Sequence, residues 1–285
     1  MPDLSWLYDL VGRALPLECM QQRFMQQALI ALVLLAPMTA SLGVQVVNFR
    51  MAFFSDAISH SAFAGIALGL ILSLDAHLAM AGFAALVGLG IVAVGRRTTL
   101  SMDAVIGVFF SAAIAFGLAI IKREPGLSRD IQKYLFGDIL TITDAEIVSL
   151  AGMLLVLMVF EAVGYNRMLY VALNPALAAA HRIRSRIYQY IFAGLLSVVA
   201  IFSVWTVGVF LVTAMLIVPA AAGRNFARSA GGMFWWALAI AVSSAIAGLL
   251  ISAQPWARTA TGATVVLCAT VWFIVSMLPR LWRKG

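Results

Sequence analysis

The sequence predicts an all-α protein, a polytopic bundle of transmembrane helices with about nine spans. Three observations carry this prediction. Apolar residues form 63% of the 285-residue chain and charged residues only 11%, whereas a soluble domain carries about 25% charged residues. Mean hydropathy is +1.01. The apolar residues collect in runs of roughly 20, the length a helix needs to cross the hydrocarbon core. In water, a chain of this composition would expose large apolar patches. Composition therefore excludes a soluble globular enzyme, a disordered chain and a disulfide scaffold. It makes the lipid bilayer the chain's first partner.

The elements follow in order along the chain. It opens Met-Pro-Asp with neither a basic leader nor a long apolar stretch, so no cleavable signal peptide is expected. Leu4, Leu7, Val11, Ala14 and Leu15 recur at helical spacing, with Asp3, Asp9 and Arg13 between them. This predicts that residues 1–23 hold a short helix lying in the membrane interface. Spans are expected near 24–47, 53–73, 76–95, 102–121, 144–163, 187–204, 206–222, 231–252 and 259–279. The uncharged stretch 187–222 is too long for one helix, so it is divided around Trp205 and Thr206. Merging two helices would leave eight spans. The chain reads as a single transmembrane domain over 1–285. Its longest non-spanning stretches, 122–143 and 164–186, are each about 20 residues, too short for a nucleotide-binding domain.

Charge sets the orientation. The net charge is +7 and the pI is near 9.9. In a membrane protein this excess reflects Lys and Arg gathered in cytoplasmic loops, so nucleic acid is not expected as a partner. Placing Arg280, Arg283 and Lys284 inside puts twelve of the nineteen basic residues on the cytoplasmic side and the N-terminus outside. The location is then the cytoplasmic (inner) membrane. Cys19 and Cys268 lie far apart and form no zinc-type cluster. No GxxxxGK[ST] phosphate loop occurs, so ATP-driven work would need a partner's ATPase.

Asp56 and His60, in FFSDAISHSAFAGIALGLIL, are charged or titratable groups inside a span. Such groups are costly in hydrocarbon and usually face a bundle interior or a water-filled cavity. Their i, i+4 spacing puts both on one helix face. A carboxylate beside an imidazole offers two ligands to a divalent transition metal. The plainer reading is an Asp that caps the helix and a His that donates to a carbonyl. Ala57, Ser61, Gly65 and Gly69 form a small-residue stripe on a second face, read as helix packing. In the basic loop at 164–186, Asn174-Pro175 opens a short helical stretch, Ala176, Leu177, Ala178, Ala179 and Ala180, followed by His181, Arg182 and Arg184. It is either a helix that docks a cytoplasmic partner or an ordinary positively charged loop. Glu161 is expected near a cytoplasmic helix end beside Arg167. Asp75 and His77 are expected at the outer rim. The mixed-charge segment from Lys122 to Lys133 could receive an extracellular binding protein. Pro219 is expected to kink the end of the seventh span.

Four blocks together resemble one family, the membrane permeases of ATP-binding-cassette importers for zinc and manganese, the ZnuB type. They are FMQQALIALVLLAPMTASLGVQVVNFRMAFFSDAISHSAFAGIALG, DIQKYLFGDILTITDAEI, VGVFLVTAMLIVPAAAGRNFARS and GATVVLCATVWFIVSML, in the family's order between residues 24 and 278. The resemblance implies a homodimer, two copies of a cytoplasmic ATP-binding-cassette ATPase beneath it, and an extracytoplasmic metal-binding protein above. It implies that Asp56 and His60 match the family's D-x-x-x-H and line the path of a transported Zn2+ or Mn2+. No permanently bound cofactor is expected. It also identifies the segment from Asn174 to Arg184 with the family's coupling helix. Ser55 departs from the pattern, since relatives often carry Gly there. The expected function is thus an ATP-driven importer subunit, with zinc ahead of manganese or iron, and not an enzyme. Two other classes fit less well. An intramembrane metalloprotease would need HExxH, which is absent, and an ion-coupled secondary transporter would leave the family blocks unexplained.

Overall fold

A computed structural model describes residues 4–14, 16–123, 139–257 and 259–282. Among these, every regular element is helical. The α-helices are α1 (Ser5–Ala14), α2 (Arg23–Asn48), α3 (Phe54–Ile71), α4 (Ala76–Gly95), α5 (Met102–Arg123), α6 (Asp144–Leu173), α7 (Pro175–Ala180), α8 (Ser185–Val207), α9 (Val209–Phe226), α10 (Ala230–Ser252) and α11 (Thr261–Trp282). Nine of the described helices, all but α1 and α7, are long and apolar enough to cross a membrane. This agrees with the all-helical, nine-span reading.

Three boundaries differ from the sequence reading. Helix α6 does not stop at residue 163 but runs on to Leu173. Asn166 and Arg167 suggested a loop, yet Met168 and Val171 are buried, and their packing carries the helix onward. The break between α8 and α9 falls at Gly208, not at Trp205 and Thr206. Gly208 takes φ 88°, a conformation that costs glycine little and other residues much. Helix α9 continues through Pro219 to Phe226. Most of the mixed-charge outer segment, including Glu124, Arg129, Asp130 and Lys133, lies outside the described residues, as do Leu15, Arg258, Arg283 and Lys284.

The chain divides into two compact units. The first comprises Met1–Val44, Asp138–Met158 and Ala214–Gly285. Here the start of α6 ties down the N-terminal segment. The Asp144 carboxylate accepts hydrogen bonds from the Tyr8 hydroxyl at 2.5 Å, Gln27 at 2.7 Å and Arg23 at 2.9 Å. Burial, then the bond to Asp144, raises the Tyr8 hydroxyl above its ordinary pKa. Trp6 and Leu10 of α1 stay exposed. Elsewhere in this unit small residues bring backbones together. A Cβ on Gly43 would stand 1.9 Å from the Leu216 carbonyl oxygen, and one on Gly248 would stand 2.4 Å from the Val265 Cα.

The second unit comprises Gln45–Gly137 and Val159–Thr213. Helix α3 is its centre and packs against α4, α5 and α8. Gly88 of α4 meets Ser197 of α8, and Gly117 of α5 meets the backbone of Ala64. Asp75 caps α4, accepting from the amides of His77 and Leu78 at 3.0 Å each. The His77 ring stacks on Trp205 with centroids 3.6 Å apart.

Candidate functional site

Asp56 sits in the first turn of α3 and His60 one turn later, about 9 Å from the helix start at 1.5 Å per residue. Their neighbours Ser55, Ala57, Ile58, Ser59 and Ser61 are fully buried, while Asp56, His60 and Phe63 remain partly accessible. Spacings of four and three put those last three on one stripe. Over residues 54–67, where every other position of α3 is buried, the accessible stripe thus carries the polar pair. The Asp56 carboxylate interacts electrostatically with His60 and lies beside the Thr213 hydroxyl, which donates to the Phe210 carbonyl at 3.4 Å. The His60 ring lies parallel to Phe63 at 6.2 Å and edge-on to Phe110 at 5.2 Å. Aromatic walls on two sides limit the rotamers open to the imidazole. The pair offers one carboxylate and one ring nitrogen to a cation. Among the described residues, no three His, Cys, Asp or Glu side chains gather to hold a metal. Such a partial set suits an ion in transit better than a resident one.

The small-residue stripe faces α4. A Cβ on Gly65 would come within 2.8 Å of the Met80 Cα, and one on Gly69 within 2.6 Å of the Ala79 Cβ. Ser61 donates to the Ile58 carbonyl at 2.7 Å, and Ala57 is buried. The basic segment follows α6. Asn174 Oδ1 accepts from the Ala176 amide at 2.9 Å, and its carbonyl accepts from Ala178 at 3.0 Å. This starts α7, whose first residue is Pro175, where a missing N–H costs little. The helix ends as Arg182 enters the left-handed region at φ 56° and the Ile183 amide returns to the Ala178 carbonyl at 2.9 Å. Asn174, Ala176, Ala179, Ala180, His181, Arg182 and Arg184 are exposed. A cleft of about 650 Å³ opens beside them, walled by Val159, Val163 and Ile187 and rimmed by Arg167, His181, Arg182 and Arg184.

One group escaped the sequence reading and another is placed differently. Thr213 gave no local signal, since its approach to Asp56 spans more than 150 positions and exists only after packing. Glu161 does not pair with Arg167 at a helix end. It is 5% exposed within α6 and accepts from Gln45 Nε2 at 3.4 Å. Arg167 instead donates to the Tyr188 hydroxyl and lies over that ring at 5.8 Å.

Nine described helices long and apolar enough to cross a membrane, one of them carrying a partly accessible polar pair, define a multi-pass membrane protein. The profile of the ABC 3 transport family matches residues 21–280, and the chain belongs to that family. It is 30% identical to the high-affinity zinc uptake system membrane protein ZnuB of Haemophilus influenzae, over 89% of this chain and 96% of that one. It is equally 30% identical to the manganese transport system membrane protein MntC of Listeria innocua, over 91% of each. Among solved structures, PsaBC from Streptococcus pneumoniae in complex with Fab superposes with a TM-score of 0.76. That match has 26% identity and covers 96% of this chain and 95% of that one.

Proposed function

We propose that this chain is the membrane permease of an ATP-driven importer for a divalent transition metal, zinc or manganese. Asp56 and His60 hold the ion in passage. The observation that carries the reading is the placement of these two donors, with Phe63, at the accessible positions of the otherwise buried stretch 54–67 of α3. The family match supports it, and so do relatives named for zinc and for manganese in equal measure. Carboxylate plus imidazole suits zinc, and manganese accepts the same donors.

In this reading two permease copies stand above two cytoplasmic ATPases, and an extracytoplasmic binding protein delivers the ion. ATP-driven closure pushes on the exposed segment from Asn174 to Arg184, and the path opens inward. The Thr213 hydroxyl lies beside the Asp56 carboxylate, and Phe63 with Phe110 confines the His60 ring. The imidazole is therefore held before the ion arrives.

Uptake of radiolabelled zinc and manganese tests this in cells lacking their own importers, with the ATPase and binding protein supplied. Even removing the hydrogen-bond partners behind metal ligands costs about 10–100-fold in affinity or activity. The variants Asp56→Ala and His60→Ala should therefore lose more than about tenfold of the uptake while still co-purifying with the ATPase. Arg184→Glu should lose uptake by another route, through weakened ATPase capture. Full uptake by the Asp56→Ala/His60→Ala double variant would remove the pair from the path.

A further inference from the structure

The buried pair of Glu161 and Gln45 plays no part in the path just described. We propose that it forms a second cation site, built from oxygen donors alone, for a hard divalent ion of the manganese kind. The inference rests on the reading of the chain as a divalent-metal permease, but its residues are separate from Asp56 and His60.

Four observations carry it. First, Glu161 is an ionisable side chain in the interior of a spanning helix, about 18 Å from the C-terminal end of α6 by helical rise. Groups of this kind mark ion pathways more often than they serve packing. Second, the pair is deeply buried yet poorly satisfied. Glu161 is 5% and Gln45 0% exposed. Glu161 Oε1 and Gln45 Oε1 have no hydrogen-bond partner, so each side chain carries an acceptor without a donor. Third, the bond that does join them is stretched. Its 3.4 Å compares with about 2.7–2.9 Å for a charge-assisted N–H···O contact. Fourth, the amide can turn over at no covalent cost, since its oxygen and nitrogen exchange places. That turn brings Gln45 Oε1 to the position of Nε2, 3.4 Å from the carboxylate oxygen. This is less than twice a metal–oxygen distance of about 2.0–2.6 Å, so one cation spans both oxygens.

Asn48 lies three residues beyond Gln45 and so on the same face of α2. Its Nδ2 is also buried without a partner. The same turn would present a third oxygen on that face. Carboxylate and amide carbonyl are the donors that manganese, magnesium and calcium prefer, whereas imidazole widens the choice to zinc. The two sites therefore differ in chemical taste.

Manganese binding to the purified full chain in lipid nanodiscs tests the proposal, with free Mn2+ measured by electron paramagnetic resonance after equilibrium dialysis. Glutamine keeps the size of Glu161 and the hydrogen bonding of an uncharged acid, so it isolates the charge. We expect Asp56→Ala/His60→Ala to retain bound manganese, and Glu161→Gln in that background to weaken it by about tenfold or more. Glu161→Asp should retain part of it, and Gln45→Leu should repeat the loss if the glutamine variant does not fold. Equal manganese binding with and without Glu161→Gln would overturn the second site, as would a folded Asp56→Ala/His60→Ala protein that binds none. The latter result leaves the Asp56–His60 reading intact. Binding unchanged by Asp56→Ala/His60→Ala and lost only with Glu161→Gln would support the second site and count against the first.

Discussion

At the scale of single residues, Asp56 and His60 stand out as polar groups inside an apolar run, and a spacing of four names their common face. Thr213 does not stand out, since a threonine in an apolar helix usually bonds its own backbone, and this one donates to the Phe210 carbonyl at 3.4 Å. Its hydroxyl also lies beside the Asp56 carboxylate, and we expect it to donate to that carboxylate when an ion is bound. A hydrogen bond to a charged group contributes about 1.5–3 kcal/mol. Thr213→Val should therefore weaken metal binding by about tenfold or more, while Thr213→Ser keeps it, as isothermal titration of the purified chain would show. Equal affinity in both variants would make the threonine a packing residue only. Glu161 was misplaced for a related reason. Arg167 six residues on looked like a loop charge, and a loop charge invites an ion pair. With α6 continuing to Leu173, that arginine meets Tyr188 and the carboxyl stays inside.

At the scale of elements, hydrophobic periodicity and length place eight of the nine spans to within a few residues and the fifth ten residues short, because lipid demands long uninterrupted helices. What it could not give was where a helix ends against its own unit. The extension of α6 depends on Met168 and Val171 finding cover, and the α8–α9 break depends on one glycine in a left-handed conformation. The small-residue stripe of α3 has a direct test. Gly65 has backbone at 2.8 Å from where a Cβ would sit, and backbone cannot step aside as a side chain can. Overpacking of this sort costs about 1–3 kcal/mol. Gly65→Val should lower the thermal midpoint of the solubilised permease by several degrees. Gly82→Ala on α4, where a Cβ would meet nothing within 4 Å, should leave it unchanged.

At the scale of the whole molecule, the nine apolar helices of the described residues set a parity. An odd number of crossings would put the two termini on opposite faces of the membrane, and the lysine and arginine bias predicts a cytoplasmic C-terminus. Reporter domains fused to each end should thus read out opposite compartments, the N-terminal one outside. Both reporters on one side would mean an even number of spans. Composition settled the class of fold, because 11% charged residues cannot coat a soluble core. It was silent on the division into two units, which depends on contacts distant in sequence. Their boundaries cut through α2, α6 and α9, and neither unit is a continuous stretch of chain.

The meeting of Gly43 with Leu216 bears on how this chain can change over generations. The two helices touch there through main chain alone, with 1.9 Å left where a methyl group would stand. Leu216 can be exchanged for other residues without altering the carbonyl that fills the space, but Gly43 has no smaller substitute and no tolerable larger one. Drift at this seam is one-sided. In a set of diverged copies, position 216 should wander through the apolar alphabet while position 43 stays fixed.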